Sequence, residues 1–370
     1  MKQKIIIISV ILIIIFLAGT VFMFFSERIN KVDISEDAYF VFDSNQVNGK
    51  VNLENKGSEA VNLNVVMASF TQTPEDMPIY FYYDNSYPVL VTSSNAYIGL
   101  YNFLTSDFAE KGIQKKIELI DATALAEKMQ QGKSIVIMSS GVLPDTVYSK
   151  DKNIVTGWLE SGGIMFWVGD GIGYYYGAKN MVIKDDDEHG KIGWEGHLKL
   201  LGKNYIYGET FEPINQSQGD IETQVGRALG LRYRYTTTGA TLNDLAKNNG
   251  ADIGFDKRIN SQFGRSSISF MPVGDGRLIL FGSGILEKQR DVSWDISQII
   301  SSNLIFTGYP TVKYEEVNLL PKSKKVIDLQ ITQKDVRGTT LLIFNKDNQI
   351  KYFYSKVFNN SLSPKSNLTI

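Results

Sequence analysis

The chain has 370 residues, 43% hydrophobic and 21% charged, a size that suggests two or three domains with real cores. That composition excludes collagen, coiled coil and general disorder. With 38 basic against 40 acidic side chains the net charge is −2, so nothing draws the chain to nucleic acid. Cysteine is absent, which excludes disulfides, thiolate catalysis and cysteine-ligated metal sites.

The run from Ile5 to Phe25 carries no charge. As a helix it would cross roughly 30 Å, the hydrocarbon thickness of a bilayer. Lys2 and Lys4 precede it, so the positive-inside bias puts the N-terminus in the cytoplasm and the rest of the chain outside the cell membrane. A cleaved signal peptide is disfavoured, because the run exceeds the usual ~7–15-residue apolar region and the bulky Val21–Phe25 stands where cleavage needs small residues. Residues 1–26 therefore read as a cytoplasmic stub and single-pass anchor. The lack of cysteine points to a prokaryotic envelope. The sequons at Asn215, Asn359 and Asn367 are compatible with an exterior location and do not argue for it.

Residues 27–86 read as a membrane-proximal β-region. Ala38–Phe42, Val51–Glu54 and Val61–Met67 alternate apolar with polar residues around a turn at Lys56-Gly-Ser. From Tyr87 the pattern changes. Pro88–Thr92 reads as a buried strand, followed by a helix carrying Ile98, Tyr101, Leu104 and Phe108 at helical spacing up to Gly112. Ile117–Ile120 is a strand and Thr123–Gln131 a helix. Ser134–Met138, Asn153–Glu160 and Ile164–Val168 then continue as strand, helix and strand. Wholly apolar strands alternating with helices predict an α/β fold with a parallel sheet covered on both faces. Residues 181–265 read as a polar insertion with helices at Gly196–Leu201 and near Leu242–Asn248. The hairpin Ser267–Met271 and Arg277–Phe281 and a closing helix over Asp291–Phe306 complete an α/β domain spanning 87–310. Residues 311–370 alternate again and read as a C-terminal β-domain.

Within this domain the stretch from Ile135 to Gly173 reads IVIMSSGVLPDTV, then WLESGG, then IMFWVGDGIG. It resembles the class I glutamine amidotransferase-like superfamily, whose core is a flavodoxin-like α/β fold. The resemblance implies an oxyanion turn at Ser140-Gly141 and a nucleophile elbow at Val168-Gly169-Asp170-Gly171. The family places cysteine or serine at the elbow, where this chain has Asp170. The family's late histidine would follow Phe281, where the chain reads Gly282-Ser-Gly-Ile-Leu-Glu. Nucleophile and base are both missing, so the resemblance implies a scaffold without the amidotransferase or peptidase triad.

The mouth of such a sheet is the expected ligand site, built from Ser140, Gly141, Gly169, Asp170, Gly171, Tyr174 and Trp194. Tyr174–Tyr176 and Trp194 beside carboxylates would suit sugar rings, but packing between insertion and core is the favoured reading of the same residues. His189 and His197 with Asp187, Glu188 and Glu195 match no metal-ligand spacing, and an exposed polar loop explains them; no metal or cofactor is expected. The chain therefore reads as a membrane-anchored extracytoplasmic protein whose non-catalytic domain binds an envelope protein or a glycan. The alternatives are a glycan-directed hydrolase working through carboxylates such as Asp170, Glu195 or Asp145, and an accessory subunit of a membrane transport complex.

Overall fold

The structure is a computed structural model that describes residues 32–43, 45–90, 94–169, 171–183, 190–193, 195–202, 220–234, 239–258, 264–282, 288–346 and 352–360. The expected anchor from Ile5 to Phe25 lies outside the described residues, as do Asp170, the 185–189 stretch and Trp194. Among the described residues no helix is long and apolar enough to cross a membrane.

The chain opens with β1 (Ile34–Asp43), β2 (Gln46–Asn55) and β3 (Val61–Phe70). Next come β4 (Ile79–Tyr82), α1 (Ser94–Glu110), β5 (Ile117–Ile120), α2 (Ala122–Gln131) and β6 (Ile135–Met138). They are followed by α3 (Val155–Glu160), β7 (Ile164–Val168), β8 (Ile268–Val273), β9 (Gly276–Phe281) and α4 (Gln289–Ser301). The chain then closes with β10 (Thr311–Leu319), β11 (Lys324–Thr332), β12 (Gly338–Asn345) and β13 (Phe353–Asn359).

The first three strands and the last four interleave. One sheet has the order β1-β2-β11 and the other β10-β3-β12-β13. The expected pair of separate flanking β-domains is corrected to this one two-sheet unit. Its pairing is antiparallel throughout, and β3 lies between β10 and β12 from Val61 to Phe70. Burial on both sides explains why β3, which alternates over Val61–Val65, runs apolar from Val65 to Ala68. Val61, Leu63, Val65 and Met67 face the core shared with β1 and β2, whereas Val66 and Phe70 join the core of the α/β part. Where both faces of a strand are covered, apolar residues occupy successive positions.

The second correction concerns the α/β sheet. Its order is 251–252, β8, β9, β7, β6, β4, β5. The strands from β9 to β5 pair in parallel, but β8 and Ala251–Asp252 run antiparallel. The sheet is therefore mixed, not the parallel flavodoxin or amidotransferase-like core expected from sequence. The physical reason is the two-residue connection from β8 to β9 at Gly274-Asp275, with Gly274 at φ 57°; so short a link permits only antiparallel pairing. The first parallel strand is also displaced, from Pro88–Thr92 to β4. After β4 the Asp84 carboxylate accepts the Ser86 N–H at 2.9 Å and its hydroxyl at 2.6 Å, a local turn that ends the strand. Pro88 has no N–H to offer a ladder, and residues 88–90 carry no regular structure.

The helices follow from local chemistry and one-sided burial. Asp121 caps α2 by accepting the Ala124 N–H at 2.8 Å, while Ala122, Leu125 and Met129 face inward. Helix α4 packs against α1 and buries Val292, Ile296, Ile299 and Ile300. It also buries Trp294, Asp295 and Gln298, whose side chains grip the 229–233 segment of the insertion. Trp294 Nε1 donates to the Gly230 carbonyl and Gln298 Nε2 to that of Leu229, both at 2.9 Å. The Asp295 carboxylate accepts the N–H groups of Arg232 and Tyr233, both at 2.8 Å. Lys111, 5% exposed, donates to the Trp294 carbonyl and the Ser297 hydroxyl. Its ammonium lies 3.9 Å from the Trp294 ring centroid, and the Arg232 guanidinium lies 3.7 Å from it.

Candidate functional site

The carboxyl ends of β4, β6 and β7 bring together Ser140, Gly141 and Gly169. Gly141 has φ 70° and Gly169 φ 151°, conformations that favour glycine. A Cβ on Gly169 would lie 3.2 Å from the Gly141 Cα, so the two turns touch backbone to backbone. The Ser140 hydroxyl is buried and donates to the Val142 carbonyl at 2.7 Å, closing its own turn. The Ser140 carbonyl accepts the Leu90 N–H at 2.9 Å.

Past β7 the chain folds back over this edge. The Gly171 carbonyl accepts the Tyr174 N–H at 3.0 Å, and Tyr176–Gly177 pairs with Leu143–Pro144. The half-buried Tyr174 ring stands 4.5 Å from Tyr175. Helix Gly196–Leu201 closes against the same turn: a Cβ on Gly196 would sit 1.9 Å from the Gly173 carbonyl oxygen. The Tyr148 hydroxyl donates to the Gly196 carbonyl at 3.0 Å. We expect Gly196→Ala to destabilise the protein by about 1–3 kcal/mol, because the clash is with backbone and cannot relax by a rotamer change. A urea midpoint unchanged from wild type would refute that close packing. His197 on this helix is buried, and burial pushes its imidazole below the usual value against the opposing pull of Asp244.

Sequence reasoning named Asp145 only among the carboxylates of the hydrolase alternative and missed its neighbours Asp84, Tyr87 and Asp121. The Tyr87 hydroxyl donates to Asp145 Oδ1 at 3.2 Å. Burial, then the Asp145 charge, pushes the Tyr87 phenol up to about 12. Burial opposes ionisation of Asp84, but hydrogen bonds from Ser86 and the Ala122 N–H win and hold it below the ordinary carboxylate value. Burial first, reinforced by Asp84, Tyr87, Asp121 and Asp145, drives the Tyr82 phenol far above its ordinary value. The edge is thus a shelf of acceptors and tyrosines able to hydrogen-bond hydroxyls. Among the described residues no acidic or histidine cluster could hold a metal ion. The signal for Asp84 was present in Asp84-Asn-Ser, an Asx-turn sequence directly after an apolar run.

No protein-family model matches the chain, and no curated protein does. Among solved structures it is similar to a cold-adapted β-galactosidase from Rahnella sp. R3, at 11% identity and TM-score 0.33, over 70% of this chain and 41% of that one. It is also similar to a cytoplasmic protein of Salmonella typhimurium LT2, at 12% identity and TM-score 0.31, over 60% of this chain and 99% of that one. A third is the exo-β-1,4-mannosidase Op5Man5 from Opitutaceae bacterium strain TAV5, at 13% identity and TM-score 0.29, over 60% and 35%. The chain spans about two fifths of the β-galactosidase's length. At such TM-scores these likenesses transfer neither fold nor function.

Proposed function

We propose that the chain is a membrane-anchored extracytoplasmic protein that binds or assembles at the cell envelope without catalysis. The uncharged run from Ile5 to Phe25 behind Lys2 and Lys4 supports the anchor and its orientation. The close packing of the described part of the sheet's carboxyl edge supports the non-catalytic half. Ligands of open α/β sheets usually enter there, and here Gly169 rests on Gly141 and the Gly196 helix packs against Gly173. The Ser140 hydroxyl is spent on its own turn, and Asp145 accepts from Tyr87. What stays accessible is the half-buried shelf of Tyr87, Asp84 and Asp145, whose acceptors match a hydroxyl-rich glycan or the polar rim of a protein partner.

The reading is tested by fractionating cells that express the full chain. It should resist alkaline extraction from membranes, and protease added outside should digest residues 26–370. A chain released into the soluble fraction would overturn the anchor. Incubation with a panel of envelope glycans should release no reducing sugar. Release that Asp145→Asn abolishes would replace the binding reading by hydrolysis.

A further inference from the structure

Strand β1 is an open sheet edge. In the order β1-β2-β11 it pairs with β2, and no described strand pairs along its other side. Ladder parity decides which backbone groups that edge carries. In an antiparallel ladder the N–H and C=O of one residue point to the same side, and successive residues point to opposite sides. The Lys56 N–H donates to the Asp33 carbonyl at 2.6 Å, so Asp33 and the odd-numbered residues after it face β2. Across β2 the Asn55 N–H donates to the Ser323 carbonyl at 2.9 Å, toward β11, in keeping with the same alternation. The free edge therefore presents the N–H and C=O groups of Ile34, Glu36, Ala38, Phe40 and Phe42.

This edge is long and unguarded by backbone. Its register runs unbroken from Ile34↔Asn55 to Asp43↔Gln46, without a bulge, and it contains neither proline nor glycine. Bulges and prolines are devices that keep an edge strand from pairing with a foreign chain. Charge is the remaining device, and here it has one sign. Asp33, Glu36, Asp37 and Asp43 are acidic, with no lysine or arginine among them. The Tyr352 hydroxyl donates to Glu36 at 2.9 Å and holds that side chain inward. The outward row reads Asp37, Tyr39, Val41, Asp43, with Tyr39 49% and Val41 57% exposed. Asp37 accepts from the Asn52 amide at 3.5 Å, an exposed contact that a cation can replace.

A row with an acid at each end and apolar side chains between them is complementary to a strand with cations at its ends and an apolar middle. A second copy of β1 would instead set acids against acids, which disfavours self-pairing. We propose that the free edge of β1 takes up an extended segment of a partner protein as an added strand, with two lysines or arginines six positions apart and two apolar residues alternating between them. Main-chain hydrogen bonds to Glu36, Ala38, Phe40 and Phe42 would hold the segment, and its cations would meet Asp37 and Asp43. The row reads alike in both directions, so the same pattern serves a parallel or an antiparallel strand. The proposal uses neither the carboxyl edge nor the anchor, so it stands or falls apart from the binding function assigned to them.

The test is titration of the full chain in lipid nanodiscs with the peptide acetyl-Thr-Lys-Thr-Val-Thr-Ile-Thr-Lys-Thr-amide, followed by amide hydrogen exchange at single residues. We expect exchange at Glu36, Ala38, Phe40 and Phe42 to slow at least tenfold at saturation. Ser35, Asp37, Tyr39 and Val41, which face β2, should not change. The peptide with glutamate in place of both lysines should bind at least tenfold more weakly, and Asp37→Lys should shrink that preference. Ala38→Pro removes an N–H that points away from β2, so it should keep the wild-type urea midpoint and lose peptide binding at least tenfold. N-methylation of the peptide probes the same bonds without altering the protein: methylating one alternate set of amides should abolish binding and methylating the other should spare it. Absence of saturable binding, equal binding of the lysine and glutamate peptides, or slowing shared by odd and even residues would overturn the proposal. So would a peptide-free dimer that protects the same four amides, which would give the edge to a second copy.

Discussion

Replacing Trp294 by alanine should lower the free energy of unfolding by about 3–5 kcal/mol, read as a fall in the urea midpoint at unchanged slope. The indole is 2% exposed. It packs edge-on to Phe344 of β12 at 6.5 Å and donates to the Gly230 carbonyl. Lys111 and Arg232 add a second loss. Each lies within 4 Å of the ring centroid, and a desolvated cation–π contact contributes on the order of 2 kcal/mol. Removing the ring leaves a cavity and two cations without the electron-rich face that offsets their burial. Trp294→Phe keeps an aromatic face but loses the indole N–H, so it should fall between the two. Equal midpoints for the alanine and phenylalanine variants would show that the ring's face contributes nothing.

Asp295→Ala should cost about 2–6 kcal/mol, since it orphans two buried N–H groups at roughly 1–3 kcal/mol each. The more telling variant is Asp295→Asn, because this site should shape the pH profile. Burial pushes the Asp295 carboxyl up to about 8, against the N–H groups of Tyr233 and Arg232, which favour the charged form. The folded protein thus keeps a proton that the unfolded chain, near 3.8, has released, and stability falls as pH rises from about 4 to 8. Lys111 acts in the opposite sense. Burial lowers its amine from 10.5 to about 7, against the pull of Asp107 and Asp295, so stability recovers between about 7 and 10.5. The wild-type curve should pass through a minimum near pH 7–8. Asp295→Asn pays a constant offset for its mismatched amide but should lack the descending limb, gaining on wild type between pH 5 and 8. Parallel curves for the two proteins would sink this account. Asp295 and Trp294 share Arg232 as a neighbour, so their two losses should not add in the double variant.

Local signals in the sequence located elements well where a cap or turn sets them. The hairpin Ser267–Met271 and Arg277–Phe281 is β8–β9, the helix Thr123–Gln131 is α2, and the apolar run Ile164–Val168 is β7. The reading failed where pairing is made by distant chain. Nothing near Val61–Phe70 announces that β10 and β12 flank it, since its partners lie beyond residue 310. The tetrapeptide Ile79–Tyr82 was absorbed into the β-region, and the apolar Pro88–Thr92 took its place in the sheet. The candidate site was legible in part. The glycine turns at Gly141 and Gly169 do meet, but Tyr87, Asp84 and Asp121 join them only because three separate strand ends converge. The Lys111–Trp294–Arg232 stack joins three segments and leaves no trace at any fixed spacing.

The interleaving of first and last strands also dictates an order of events during synthesis. When β3 leaves the ribosome its two ladder partners do not yet exist, and at roughly 5–20 residues per second they follow only some tens of seconds later. Through that interval a strand with the apolar run Val65–Ala68 has both edges open, a configuration apt to pair with a foreign chain. The α/β part can be assembled while the sandwich waits, so the growing chain is vulnerable at its beginning until its end arrives. Cutting the chain before β10 would make that interval permanent and should yield an aggregating product rather than a smaller folded one.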